Sequence, residues 1–167
     1  MRPKQNIWDI ENRPNSELTL TKFRRVLKNQ SNLRRLDQFV DLAIFEKSTG
    51  QIVGSVAIMD IIRGLGQSAF LGYRIHNGFW KNGYGKEAAM AAIDIAFREL
   101  KLHRIEAGIE PSNKRSILLA KSIGLRKEGL KKRAAHLRGK WVDLGIYSIT
   151  CEEVGIPWKG IAKSRDS

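Results

Sequence analysis

The stretch Trp80-Lys81-Asn82-Gly83-Tyr84-Gly85-Lys86 decides how this chain is read. Glycines at 83 and 85 let the backbone take positive φ and come close to a ligand. The residues that follow, 86–100, place Ala89, Ile93, Ala96, Phe97 and Leu100 at the spacing of one helical face. The loop therefore opens into a helix, whose first N–H groups lack intrahelical partners and whose dipole is positive at that end. Such a terminus suits a pyrophosphate, with Lys81 and Lys86 adding charge at its rim. The same two glycines would also serve a plain strand-to-helix turn, and on the loop alone both readings stand. Two nucleotide loops are excluded by what surrounds it. A Walker loop needs Ser or Thr after its Gly-Lys, and Gly85-Lys86 is followed by Glu87. A dinucleotide fingerprint needs a βαβ unit and a fuller glycine pattern.

Upstream of the loop the pattern is antiparallel. Residues 39–62 are β-branched and apolar, broken by Ser48-Thr49-Gly50-Gln51, which predicts a hairpin. Arg63-Gly64-Leu65-Gly66 makes a second turn before a third strand over 69–75. A helix is expected from Ser16, its possible cap, with Leu20, Phe23 and Leu27 at helical spacing. Downstream, a strand over 104–109 is broken by Pro111 and Asn113, and a short helix over 116–122 ends at Gly124. Residues 125–150 form a long hairpin turning at Arg138-Gly139, with Val142, Leu144 and Ile146 on one side of the returning strand. The fold class is α+β, one domain over 1–167 built on one mixed sheet, with 1–15 an irregular lead-in and 151–167 a tail.

The 167 residues are 42% hydrophobic and 28% charged, as in an ordinary globular chain. No apolar run reaches the roughly 18 residues of a membrane span, and no hydrophobic signal core follows residues 1–6, so a cytoplasmic location without membrane association is expected. Cys151 is the single cysteine, which rules out an internal disulfide, and no Cys/His spacing suggests a metal set. As the last residue of an apolar stretch, Cys151 reads as a buried structural cysteine. Thirty basic residues against seventeen acidic give a net charge of +13, a field that favours anionic ligands and opposes polyamines and aminoglycosides.

Taken in order, Leu71-Gly72-Tyr73-Arg74-Ile75, the loop Gly83-Tyr84-Gly85, His103-Arg104-Ile105-Glu106 and Asn113-Lys114-Arg115-Ser116 up to Ile123-Gly124-Leu125 resemble the GNAT acetyltransferases. Within them the chain is most similar to the RimJ/RimL-type ribosomal-protein alanine N-acetyltransferases, over residues 39–150. The resemblance implies a mostly antiparallel twisted sheet with helices on both faces, and acetyl-CoA as co-substrate. It implies that the strand of Tyr73 and Ile75 splays from its neighbour and pairs with the pantetheine arm as an added strand would. Lys81, Asn82, Gly83, Tyr84, Gly85 and Lys86 would hold the pyrophosphate by backbone amides. Asn113 would hydrogen-bond the arm, with Ser116 one turn further along.

Three positions depart from the family pattern. Trp80 stands where the family has glutamine or arginine before the loop glycines, and Lys81 is the nearest replacement for that polar contact. Phe70 stands where many members place a glutamate base, and Ala120 where many place a tyrosine acid. The remaining proton carriers are Glu106, acting through water, and Ser116, protonating the leaving thiolate. Each has a plainer role open to it: Glu106 as a strand glutamate paired with an arginine, Ser116 as a helix cap. A chain without a strong base is better suited to an α-amine, of pKa about 7.7–8.0, than to lysine at about 10.4. A protein N-terminus is therefore the expected acceptor.

Two basic groups bear on partners. Lys121, Arg126, Lys127, Lys131, Lys132, Arg133, Arg138 and Lys140 share a short span with one acid, Glu128, and Lys22, Arg24, Arg25, Lys28, Arg34 and Arg35 have no acid among them. Charge runs are usually solvated faces. Two of them in so basic a chain fit an acidic or ribosome-associated protein acceptor, or nucleic acid. The rival class is a GNAT-like binding module for RNA or the ribosome with weak catalysis. A monomer or a homodimer is compatible with either.

Overall fold

The computed structural model describes residues 7–8 and 14–160; most of the expected lead-in and residues 161–167 of the tail lie outside the described residues. After a 3-10 turn at Asn15–Glu17 come α1 (Leu20–Arg35), β1 (Phe39–Phe45), β2 (Ile52–Ile62) and β3 (Ser68–Ile75). Then follow α2 (Tyr84–Arg98), β4 (Arg104–Ile109), α3 (Lys114–Ser122), β5 (Arg126–Leu137) and β6 (Lys140–Thr150). The six strands form one sheet in the order β1-β2-β3-β4-β6-β5, antiparallel except where β3 meets β4. The expected meander, central helix and closing hairpin are all present.

Alternation along the strands separates the two faces. Val40, Val56, Ile58, Ala69, Leu71, Ile105 and Ala107 join Ala89, Ala92, Ile93, Ala96 and Phe97 of α2 and Ala120 of α3 in one core. Ile58 and Ile105 are at most 1% exposed, and each such burial contributes roughly 1.5–3 kcal/mol. α1 lies on the opposite face beside the edge strand β1, where Gln30 Nε2 donates to Asp41 Oδ2 at 2.6 Å. Helices therefore cover both faces.

Several boundaries move, each for a local reason. The cap of the first helix is Thr19, whose hydroxyl accepts from the Lys22 N–H at 3.3 Å, while Ser16 sits in the preceding 3-10 turn. The stripe Leu20, Phe23 and Leu27 stays 47–61% exposed, because α1 rests against an edge strand and buries no residue. α2 begins at Tyr84, two residues ahead of the expected start. α3 begins at Lys114 because Asn113 caps it. In the tail, Cys151 is 1% exposed, Ile156 packs on the core, and the Trp158 ring meets His103 edge-on at 5.4 Å. Sequence spacing hid one cluster: the ligand atoms of His103, Cys151 and Glu152 lie within 4.8 Å of one another. Burial raises the thiol pKa of Cys151, and Glu152 pairs with His103 at 3.1 Å, so the group ties the tail to the start of β4. Among the described residues, no helix is long and apolar enough to cross a membrane.

Candidate active site

β3 and β4 pair at only three positions, Ser68↔Arg104, Ala69↔Ile105 and Phe70↔Glu106. Beyond Phe70 they separate. β3 runs on to Ile75, still held by β2 through Ile75↔Gly54, and β4 runs on to Ile109, held by β6 through Ile109↔Gly145. The sheet is thus split, with two facing strand edges that have backbone groups to offer an extended amide-containing ligand. A cleft of about 1330 Å³ follows the split, from the loop before α2 to Glu110, Arg138 and Leu144 on the other side.

The loop closes one end of this cleft. Gly83 is the N-cap of α2 at φ 83°, and no side chain caps the helix; the Lys86 N–H, expected to face the pyrophosphate, bonds the Gly83 carbonyl at 3.0 Å instead, so the N–H groups ahead of it are the ones left for a ligand. The two glycines differ in their reason for being there. Gly83 supplies the left-handed conformation, whereas Gly85 lies inside the first helical turn, where a Cβ would meet Leu119 Cδ1 at 2.8 Å. The second residue with positive φ in the loop is Lys81, at 69°. Tyr84 donates its hydroxyl to Glu46 in the turn between β1 and β2. That bond raises the Tyr84 pKa, and bonds from Thr49 and then Tyr84 lower that of Glu46. Lys81, Asn82 and Lys86 are exposed around the loop.

Trp80 is not a gap in this site. Its Nε1 donates to the Ile75 carbonyl at 2.9 Å, which fixes the ring at the end of β3. The Ile75 oxygen, with two lone pairs, can still accept once more from a pantetheine amide. Across the cleft the Arg115 guanidinium stacks on the Trp80 ring at 4.1 Å, bringing from α3 a cation that the loop sequence alone did not suggest.

On α3, Asn113 Oδ1 accepts from the Ser116 N–H at 3.3 Å, which leaves the Asn113 amide N–H₂ as its donor toward a ligand. Ser116 is therefore the capped residue, not the cap. The Tyr73 hydroxyl donates to the Ser116 carbonyl at 3.1 Å, and burial raises the Tyr73 pKa. Tyr73, Ile75, Asn113 and Ser116 all line the cleft. Glu106 is placed differently. It sits where β3 and β4 are still paired, and Arg104 Nε donates to it at 2.7 Å while the same guanidinium holds Glu128. The carboxylate on the open part of the split is Glu110, which sequence reasoning passed over. Arg138 Nη2 reaches both its oxygens at 2.6 Å, and Trp8 Nε1 donates to it at 3.2 Å.

Residues 2–126 match the family model described as Acetyltransferase (GNAT) domain. The chain belongs to the GNAT acetyltransferase family. It is 37% identical over 129 residues to the Probable N-acetyltransferase YjcK of Bacillus subtilis, covering 75% of this chain and 69% of that protein. It is 33% identical over 107 residues to the [Ribosomal protein uS5]-alanine N-acetyltransferase of Escherichia coli, covering 64% of this chain and 55% of that protein. The fold superposes on Mycobacterium smegmatis RimJ, solved in complex with CoA-disulfide, with a TM-score of 0.78 and 26% identity over 87% of this chain and 69% of that one. A GNAT fold with a CoA-bound neighbour makes acetyl-CoA the co-substrate of this chain. The uncapped helix start and the open strand edges fit such a ligand.

Proposed function

We propose that this chain moves an acetyl group from acetyl-CoA to the α-amine of a protein N-terminus. The observation that carries the proposal is the split between β3 and β4, whose cleft is lined by consecutive residues of both strands and so gives room for a donor and an acceptor together. When bound, acetyl-CoA supplies a thioester whose carbon the amine attacks, forming C–N and breaking C–S. The loop 81–86 and Asn113 hold the donor. The acceptor's ammonium loses one proton to solvent before attack; Ser116 Oγ gives the departing thiolate its proton and is restored, through water, by the proton that the nitrogen sheds as the amide forms. The central-strand position of the usual base is Phe70, which suits an amine that is neutral in useful fraction near pH 7.5. The likeness to enzymes named for ribosomal-protein alanine N-termini supports the acceptor. The exposed bases of α1 support an acidic or ribosome-associated partner.

The test is thiol release from acetyl-CoA with N-terminal peptides, lysine peptides and polyamines as acceptors. Turnover is expected on N-terminal peptides above the other two. Turnover confined to lysine peptides or polyamines refutes the acceptor. No turnover on any, with tight RNA binding, favours a binding module instead.

A further inference from the structure

We propose that Glu110 is the counter-ion that receives the acceptor's ammonium group, and that Arg138 and Trp8 hold it in place for that purpose. This rests on the acetyl-transfer function proposed above, but not on which amine is acetylated.

Position comes first. Ile105, Ala107 and Ile109 of β4 face the core that α2 and α3 cover, so the alternate residues Glu106, Gly108 and Glu110 face the other side of the sheet. The donor loop lies at the start of α2, on the core side. An acceptor approaching from the other side meets Glu106 at the closed end of the split and Glu110 at its open mouth. Glu106 is already committed to Arg104.

Burial comes second. The Glu110 side chain is only 10% exposed, and a carboxylate so enclosed needs partners. Among the described residues it has two, Arg138 and Trp8, which between them make three contacts with it. An ionised carboxylate offers about four lone-pair sites. One remains for an ammonium N–H, and both existing partners fix the carboxylate's orientation rather than saturate it. Arg138 comes from the tip of the β5–β6 hairpin, so the hairpin is anchored over the cleft by the same pair. Met59, Leu137 and Leu144 line the same cleft. A single carboxylate, held by Arg138 and Trp8 in a cleft that also has apolar lining, fits one ammonium that carries a small uncharged group, as an N-terminal residue does. It does not fit a polycation, which needs a row of acids.

The experiment compares binding to the protein–CoA complex of a short peptide with a free α-amine and its Nα-acetylated twin, in the native chain and in Glu110→Gln. Titration calorimetry reads the affinities, and kinetics with the same peptide read KM and kcat. The native chain should prefer the free amine by at least about tenfold, and Glu110→Gln should abolish that preference with acetyl-CoA affinity unchanged. Arg138→Lys, which keeps the charge but loses the fork, should recover part of what Arg138→Ala loses in acceptor KM. If the preference survives in Glu110→Gln, or the native chain shows none, the proposal is overturned, and Glu110–Arg138 is only a hairpin tie that lowers thermal stability when cut. The two proposals fail separately. Turnover of N-terminal peptides with KM unmoved in Glu110→Gln removes the subsite and leaves the function. Turnover of some other amine only, with its KM raised in Glu110→Gln, removes the N-terminal acceptor and keeps the subsite.

Discussion

The guanidinium of Arg115 lies 4.1 Å from the centre of the Trp80 ring, joining α3 to the loop before α2 across the mouth of the split. Trp80 replaces the polar residue expected at this point, and its own N–H is spent on the Ile75 carbonyl. A guanidinium held over a fixed ring by its cation–π contact still has N–H donors to offer a phosphate. Arg115→Ala should therefore raise the Kd for acetyl-CoA about tenfold, from the lost stacking and charge-assisted hydrogen bond together. Arg115→Lys should recover little. Thermal stability should hardly change, since Arg115 is exposed. Calorimetry that finds the affinity of Arg115→Ala intact removes this residue from the phosphate site.

Gly83 and Gly85 should respond differently to the same change. An alanine at Gly83 meets no atom within 4 Å but must hold φ 83°, which costs roughly 1–2 kcal/mol. Gly83→Ala should lower Tm by a few degrees and weaken acetyl-CoA binding through the displaced N–H groups. Gly85→Ala has an ordinary helical backbone, so its cost depends on whether the flexible end of Leu119 gives way. It should be the milder variant in stability, and Gly85→Val the harsher. Equal effects of the two alanines would show that backbone conformation is not what Gly83 provides.

These two glycines illustrate what could be read before the fold was known. Their type and spacing gave the helix start and the anion-binding character of the loop, because both are local properties of four or five residues. Which glycine needs positive φ is not legible, since what presses on Gly85 is Leu119, thirty-four positions away in a different helix. The same holds for the charges. The periodicity of 86–100 predicted α2 within two residues, and the alternation and turns of 39–75 predicted three strands. Arg115, Glu110 and Arg138, however, acquire their roles only when α3, the end of β4 and the β5–β6 hairpin converge on one cleft. The basic span of 121–140 read as a uniform face, yet Arg126, Lys132 and Arg138 each pair with an acid distant enough in sequence to be missed, or with Glu128 within it. The spacing of the α1 stripe marks a helix, but nothing in it marks its neighbour as an edge strand.

Ser116 offers a clean test of proton donation. Its N–H is held by Asn113 and its carbonyl by Tyr73, and both contacts are to the backbone. Ser116→Ala thus removes the hydroxyl and leaves the start of α3 as it is. A fall in kcat of about tenfold with acetyl-CoA affinity unchanged is expected for loss of a general acid to a leaving group as good as a thiolate. Glu106→Gln should do the reverse: kcat within about threefold and a small loss of stability, because its partner Arg104 keeps Glu128. A large kcat loss in Glu106→Gln would return the base role to Glu106.

Arg104 also sets how the fold responds to acid. Hydrogen bonds from Arg104 first, and then Ser148, hold the Glu128 carboxyl at about 2, below the ordinary value of 4.5. A carboxyl whose pKa is lower in the folded chain contributes stability that is complete above its unfolded value and is lost as pH falls through the folded one. That window runs from about 4.5 down to about 2, and Glu46, lowered by Thr49 and Tyr84, acts in the same direction. Both carboxylates are near the surface, so salt screens the effect and reduces it well below what the shift alone would suggest. Thermal midpoints of the native chain should fall across this window. Glu128→Gln should start lower at neutral pH and fall less, and the difference between the two should shrink at high salt. Parallel midpoint curves for the two proteins would show that the Arg104–Glu128 pair contributes nothing to the folded state.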